Sequence, residues 1–149
     1  MKIINKILIL SMTLMLWACG EADKEFVHDS NTISQMICKM VHDGSEFRGD
    51  IHEFDRNGQE VIGSFTQEDV EGGYGLILFE VSKSLEDDID LTRIYLVATL
   101  SWDQFIEKID PPGEQGLSGR HDITGDGIII QVKSGVGTKR QYRVRGYYQ

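Results

Sequence analysis

Six segments of the chain have the composition and punctuation of strands, and two carry apolar residues at helical spacing. Residues 50–56 and 59–65 flank Asn57-Gly58, a dipeptide that predicts a hairpin with a type I′ turn. Gly72-Gly73 precedes Tyr74-Gly75-Leu76-Ile77-Leu78-Phe79-Glu80-Val81, a further strand. Residues 93–100 (RIYLVATL) are the most apolar stretch outside the first eighteen residues and predict a central strand. Ile128–Lys133 and Thr138–Tyr147 flank Ser134-Gly135-Val136-Gly137 and predict a closing hairpin. The helical stretches each open on a capping box, in which a hydroxyl accepts an amide hydrogen and a glutamine reaches back. Thr32 and Gln35 open the first, with Ile33, Met36, Ile37, Met40 and Val41 on one face before Asp43-Gly44; Ser101 and Gln104 open the second, with Trp102, Phe105, Ile106 and Ile109 before Pro111-Pro112. The expected fold class is therefore α+β: mainly an antiparallel sheet of hairpins, with one N-terminal helix and one short internal helix. No internal repeat is visible.

The beginning of the chain belongs to a different pattern. Lys2 and Lys6 precede a mostly apolar run from Ile7 to Ala18, the arrangement of a secretory signal and too short to span a bilayer comfortably. Leu16-Trp17-Ala18-Cys19 resembles the lipobox of bacterial lipoproteins, at Leu16, Ala18 and Cys19. Trp17 is bulkier than that family's usual residue, at its most tolerant position. The resemblance covers the leader alone. It implies removal of residues 1–18, a diacylglycerol thioether on Cys19, an acidic tether over 19–31 and one domain over 32–149. Gly20 stands where enteric-type lipoproteins held in the inner membrane carry Asp. The implied address is therefore the outer membrane, facing the periplasm, or the cell surface of a Gram-positive host. Two rivals stay open: cleavage after Gly20-Glu21-Ala22 to release a soluble protein, and a disulfide between Cys19 and Cys38.

Charge narrows the partners. Without the leader's two lysines the chain carries 13 basic and 24 acidic residues, a net of −11. Phosphate would be repelled over most of such a surface, which argues against nucleic acid and for a basic protein partner. The imbalance is local, since residues 127–149 hold Lys133, Lys139, Arg140, Arg143 and Arg145 and no acid. On a strand Arg143 and Arg145 share a face with Tyr147. The stripe Lys139, Arg140, Arg143 and Arg145 either offsets neighbouring acids or contacts lipid headgroups. Glu86, Asp87, Asp88 and Asp90 crowd one loop, either solvated or a contact patch for a basic protein.

Catalytic and metal signatures are weak. Met36, Cys38, Met40 and His42 recur at every second position; on a strand they would line one face as soft-metal ligands, whereas the expected helix separates them. Asp122-Ile123-Thr124-Gly125-Asp126-Gly127 starts like a calcium loop, but Lys133 stands where the bidentate carboxylate belongs, leaving Asp122 and Asp126 as a minor candidate pair. Ser118 with Gly116, Gly119 and His121 fails the nucleophile-elbow spacing because residue 120 is Arg. The expectation is a non-enzymatic, cofactor-free, membrane-anchored binding lipoprotein, of the immunity type that neutralises a basic toxin. The alternative is an envelope assembly lipoprotein that uses its basic C-terminal hairpin.

Overall fold

The structure, a computed structural model, describes residues 27–40, 43–110 and 117–149. The leader, Cys19, His42 and Pro111-Pro112 lie outside the described residues. Nine strands follow in order: β1 (Gln35–Lys39), β2 (Glu46–Arg48), β3 (Asp50–Phe54), β4 (Glu60–Val61), β5 (Tyr74–Val81), β6 (Tyr95–Thr99), β7 (Phe105–Asp110), β8 (Ile128–Lys133) and β9 (Lys139–Tyr148). They form a three-stranded sheet, β2-β1-β6, and a six-stranded sheet, β4-β3-β5-β9-β8-β7. Met36, Cys38 and Leu96 from the first meet Ile77, Phe79, Ile130, Tyr142 and Val144 from the second in one core. The architecture is a β-sandwich.

The expected α+β class is overturned, because the described residues contain only two 3-10 turns of three residues each, Glu68–Val70 and Lys83–Leu85. In place of the N-terminal helix stands β1, whose register runs from Gln35 opposite Thr99 to Lys39 opposite Tyr95. Met36, Cys38 and Met40 all face the core. Residues 36 and 40 satisfy a period of two as well as one near four, so this short run fitted both templates. In place of the internal helix stands β7. The box contact forms, since Ser101 N–H donates to Gln104 Oε1 at 2.9 Å, yet it closes a turn that leads into a strand. A bulge between Ile106 and Lys108 shifts the register against β8. That extra residue erases the alternation by which β7 would have been recognised.

Two strand expectations also change. Residues 95–99 form the edge of the smaller sheet, and the central strands are β5 and β9, paired in parallel from Tyr74 opposite Gln141 to Val81 opposite Tyr148. The hairpin at Asn57-Gly58 exists, but Asn57 does not have positive φ (among the described residues only glycines do), so the turn is not type I′. Asp55 N–H donates to Gln59 O, Gly58 sits at φ +76°, and the Asp55 carboxylate accepts from Asn57 N–H and Gln59 N–H at 2.8 Å each. This is a type I turn closed by a left-handed glycine, and its second strand is only two residues long. The closing hairpin forms as expected, with Lys133 opposite Lys139 and Ile128 opposite Val144.

Gly49 carries the chain from one sheet to the other. It separates β2 from β3, and a Cβ there would lie 2.8 Å from Ile77 Cγ2 and 2.9 Å from Phe79 Cζ. Only a residue without a side chain lets the crossing strand lie against the core.

The parallel β5 and β9 define two poles. At one, residues 28–31 bind the turns that begin β7 and β9: Gln104 Nε2 donates to Ser30 O, Val136 N–H to His28 O, and Asn31 Nδ2 to Thr138 Oγ1. Residues 28–31, expected as free tether, are thus built into the fold. At the other pole the 82–94 loop packs on the end of β9, where the Tyr148 hydroxyl accepts from Leu91 N–H and donates to Ile89 O.

Candidate functional site

Behind the middle of the larger sheet lies a buried polar cluster. Glu53 is 3 % exposed and Arg140 2 %. Arg140 Nη2 lies 2.6 Å from Glu53 Oε2, and Nε donates to the same oxygen at 2.8 Å. The Tyr142 hydroxyl donates to Glu53 Oε1 at 2.5 Å and accepts from Ile33 N–H at 3.1 Å. Burial pushes the Glu53 carboxyl above its usual range, while Tyr142 and Arg140 pull the other way. The guanidinium also donates to backbone: Nη1 to Val70 O at 2.5 Å, and Nη2 to Tyr74 O at 2.6 Å and Phe54 O at 3.0 Å. Each side-chain nitrogen and oxygen of Glu53, Arg140 and Tyr142 has a partner, which is what a buried ion pair requires.

Those last two bonds matter for the opposite face. Phe54 and Tyr74 pair across β3 and β5, and their rings stack outside the sheet at 4.8 Å between centroids and 13° between planes. Arg140, on the inner side, thus holds the backbone that carries the outer aromatic pair. Beside the stack the outer face continues with Gln141 opposite Tyr74, and with Leu76, Arg143 and Ile129 in the adjacent row. Phe54, Tyr74, Gly75, Leu76, Ile129, Gln141 and Arg143 line an open groove of 480 Å³. Tyr74 remains 48 % exposed. The rim is acidic and partly self-paired: Glu60 lies 2.6 Å from His52 Nδ1, Glu80 accepts from the Tyr147 hydroxyl, and Glu107 takes Lys139 at 2.7 Å and Gln131 at 2.7 Å. Arg143 donates to Asp126 O at 2.8 Å. Among the described residues the side chains of Gln141 and Arg145 make no hydrogen bond or ion pair. An exposed tyrosine, aliphatic side chains and an unused amide in one groove, with the unused Arg145 guanidinium on the same outer face, are the composition of a contact centre.

The structure scatters the sequence-derived candidates. Arg140 faces the core, away from Lys139, Arg143 and Arg145, so the four do not form one stripe. Lys139 is tied to Glu107. Glu86, Asp87, Asp88 and Asp90 are exposed at the pole opposite residues 28–31. Asp90 is occupied locally, accepting from Thr92 N–H at 3.0 Å and Thr92 Oγ1 at 2.6 Å, which lower its carboxyl. The Asp122 carboxylate accepts from Thr124 N–H at 2.9 Å and from Thr124 Oγ1 at 2.6 Å. Cys38 is 1 % exposed, and burial pushes its thiol up to about 12, so a bridge to another molecule is closed to it while folded. Sequence reasoning missed Phe54, Tyr74 and Gln141. Their alternation was visible, but the parallel pairing of β5 with β9, which sets them side by side, leaves no local signal.

No family model matches the chain, and no curated protein matches it. Among solved structures it is similar to one described as a "putative secreted protein" from Bacteroides fragilis, with 14 % identity, a TM-score of 0.47, and coverage of 81 % of this chain and 97 % of that one. A likeness of that degree leaves the function to be argued from the residues.

Proposed function

We propose that this chain is an extracytoplasmic, lipid-anchored protein that binds another protein through the outer face of its larger sheet. The observation that carries the reading is the groove beside Tyr74, where an exposed ring, Leu76, Ile129 and the unoccupied Gln141 amide meet on a rigid central part of the sheet. Rigid aromatic and arginine anchors lose little entropy on binding, which is why such centres dominate interface energies. The leader and Cys19 supply the anchor in this reading, and the net charge of −11 speeds encounter with a basic partner. Neutralisation of a basic toxin is the role these features fit best. In this reading the polar groups of the face serve recognition.

The test is affinity capture with the full chain and two variants. Tyr74→Ala with Arg145→Ala is expected to weaken a captured basic protein at least about tenfold, about 1.4 kcal/mol, with an unchanged thermal midpoint. Asp87, Asp88 and Asp90 changed together to Ala should slow association more than they speed release. Equal capture by the Tyr74/Arg145 variant would remove the face from the reading. Capture of lipid alone would favour an envelope-assembly role.

A further inference from the structure

The pole where residue 27 enters the fold carries a second exposed apolar group. Trp102 is 70 % exposed and Val136 55 %, the one in the turn before β7 and the other in the turn before β9. His28 lies between them. Its ring meets the Trp102 ring edge to face at 5.4 Å, its carbonyl accepts from Val136 N–H, and its own N–H donates to Asp103 Oδ2 at 2.5 Å. Phe105 follows, 48 % exposed, with Lys133 Nζ 5.5 Å from its ring centre. The chain therefore enters the domain between two apolar tips. They are pinned to it by side-chain and backbone bonds.

From this geometry we infer that the Trp102–Val136 pole docks on a phospholipid bilayer. The inference rests on the anchored reading above. Cys19 precedes Val27 by eight positions, which reach roughly 28 Å when fully extended. An eight-residue strand such as β5 is itself roughly 26 Å long, so the tether is about as long as the domain is tall. An acylated Cys19 holds this pole near the headgroups, whereas the pole with Asp87 meets them only if the tether runs fully extended along the whole domain. Trp102 has the apolar body and polar N–H that favour the membrane interface. Val136 adds apolar area at the tip of its turn, and Lys133, its ammonium 3.8 Å from Glu107 and 5.5 Å from the Phe105 ring centre, stands beside that ring. Docking fixes the sandwich upright, with the Tyr74 face turned sideways and the 82–94 loop pointing away from the membrane.

Trp17 and Trp102 are the two tryptophans of the chain, and removal of residues 1–18 leaves Trp102 alone. The protein purified from membranes is reconstituted into phosphatidylcholine vesicles, with plain or brominated acyl chains, and flotation and tryptophan emission are read together. Trp102 emission is expected to fall by about half with brominated lipid, as for a ring at interfacial depth. Val136→Asp should restore much of it while flotation is kept. Cys19→Ser should abolish flotation. Equal emission in the two lipids, from protein that floats, overturns docking and leaves the anchor standing. Wild-type protein that stays in solution with an unacylated amino terminus overturns the anchor, and docking with it.

Discussion

Arg140 and Glu53, 2.6 Å apart and almost wholly shielded from solvent, tie β9 to β3 across β5. Removal of one partner strands the other. Arg140→Met is expected to cost about 3–5 kcal/mol in urea unfolding, because it leaves a buried carboxylate without its cation and takes one donor from each of three backbone carbonyls. Glu53→Gln added to Arg140→Met should cost less than the two single changes summed. An additive double variant would show that the two side chains do not act as a pair. Glu53 also has a sign of its own. Its folded value lies above the ordinary 4.5, so its contribution is present at low pH and is lost as pH rises through the folded value.

Much of this was legible, and the failures have physical causes. The closing hairpin could be placed to within a residue or two because Arg143 and Arg145 alternate with Tyr142 and Val144, and β9 buries that second set. The Asn57 hairpin could be found but not its turn, since Asp55 caps two amides and takes the chain through a right-handed corner instead. Both helices failed where a strand is short or bulged and three or four apolar residues fit either period. The proposed face was hidden for another reason. Tyr74 and Gln141 are 67 positions apart in the chain, and nothing local says that their strands run side by side.

Gly75 lies under the ring of Tyr142, where a Cβ would fall 2.0 Å from Cε1. Gly75→Ala should destabilise the domain by about 1–3 kcal/mol through overpacking. It should also displace the neighbouring Phe54–Tyr74 stack, visible as a changed near-ultraviolet circular dichroism spectrum. A neutral variant would mean that the tyrosine ring has room to move.

Acid should weaken the fold in a defined window. Asp55, Asp69 and Asp90 each accept a backbone N–H within a turn, and each carboxyl is held below the ordinary 3.8. At acid pH the unfolded chain then binds more protons at these sites than the folded one. Their support is complete above about pH 5 and is lost as pH falls through the folded values. Urea midpoints at pH 7, 5 and 3 are expected to drop mainly in the last step, and less so for Asp55→Asn. A flat profile between pH 5 and 3 would contradict this account.

Cys38 should be silent toward thiol reagents at pH 8 in the folded protein and react fully in denaturant. Its burial blocks access, and the raised pKa leaves almost no thiolate. Rapid labelling without denaturant would place the thiol at the surface.

The position of β9 bears on when the domain can take shape. Residues 139–148 come last in sequence among the strands, yet they occupy the interior of the larger sheet and bond to a neighbour on either side. Until they arrive, β5 and β8 each lack a flank, and Glu53 has no guanidinium to meet. A nascent chain of this design stays open until its tail is in place, the condition in which a polypeptide can still be threaded through a narrow pore.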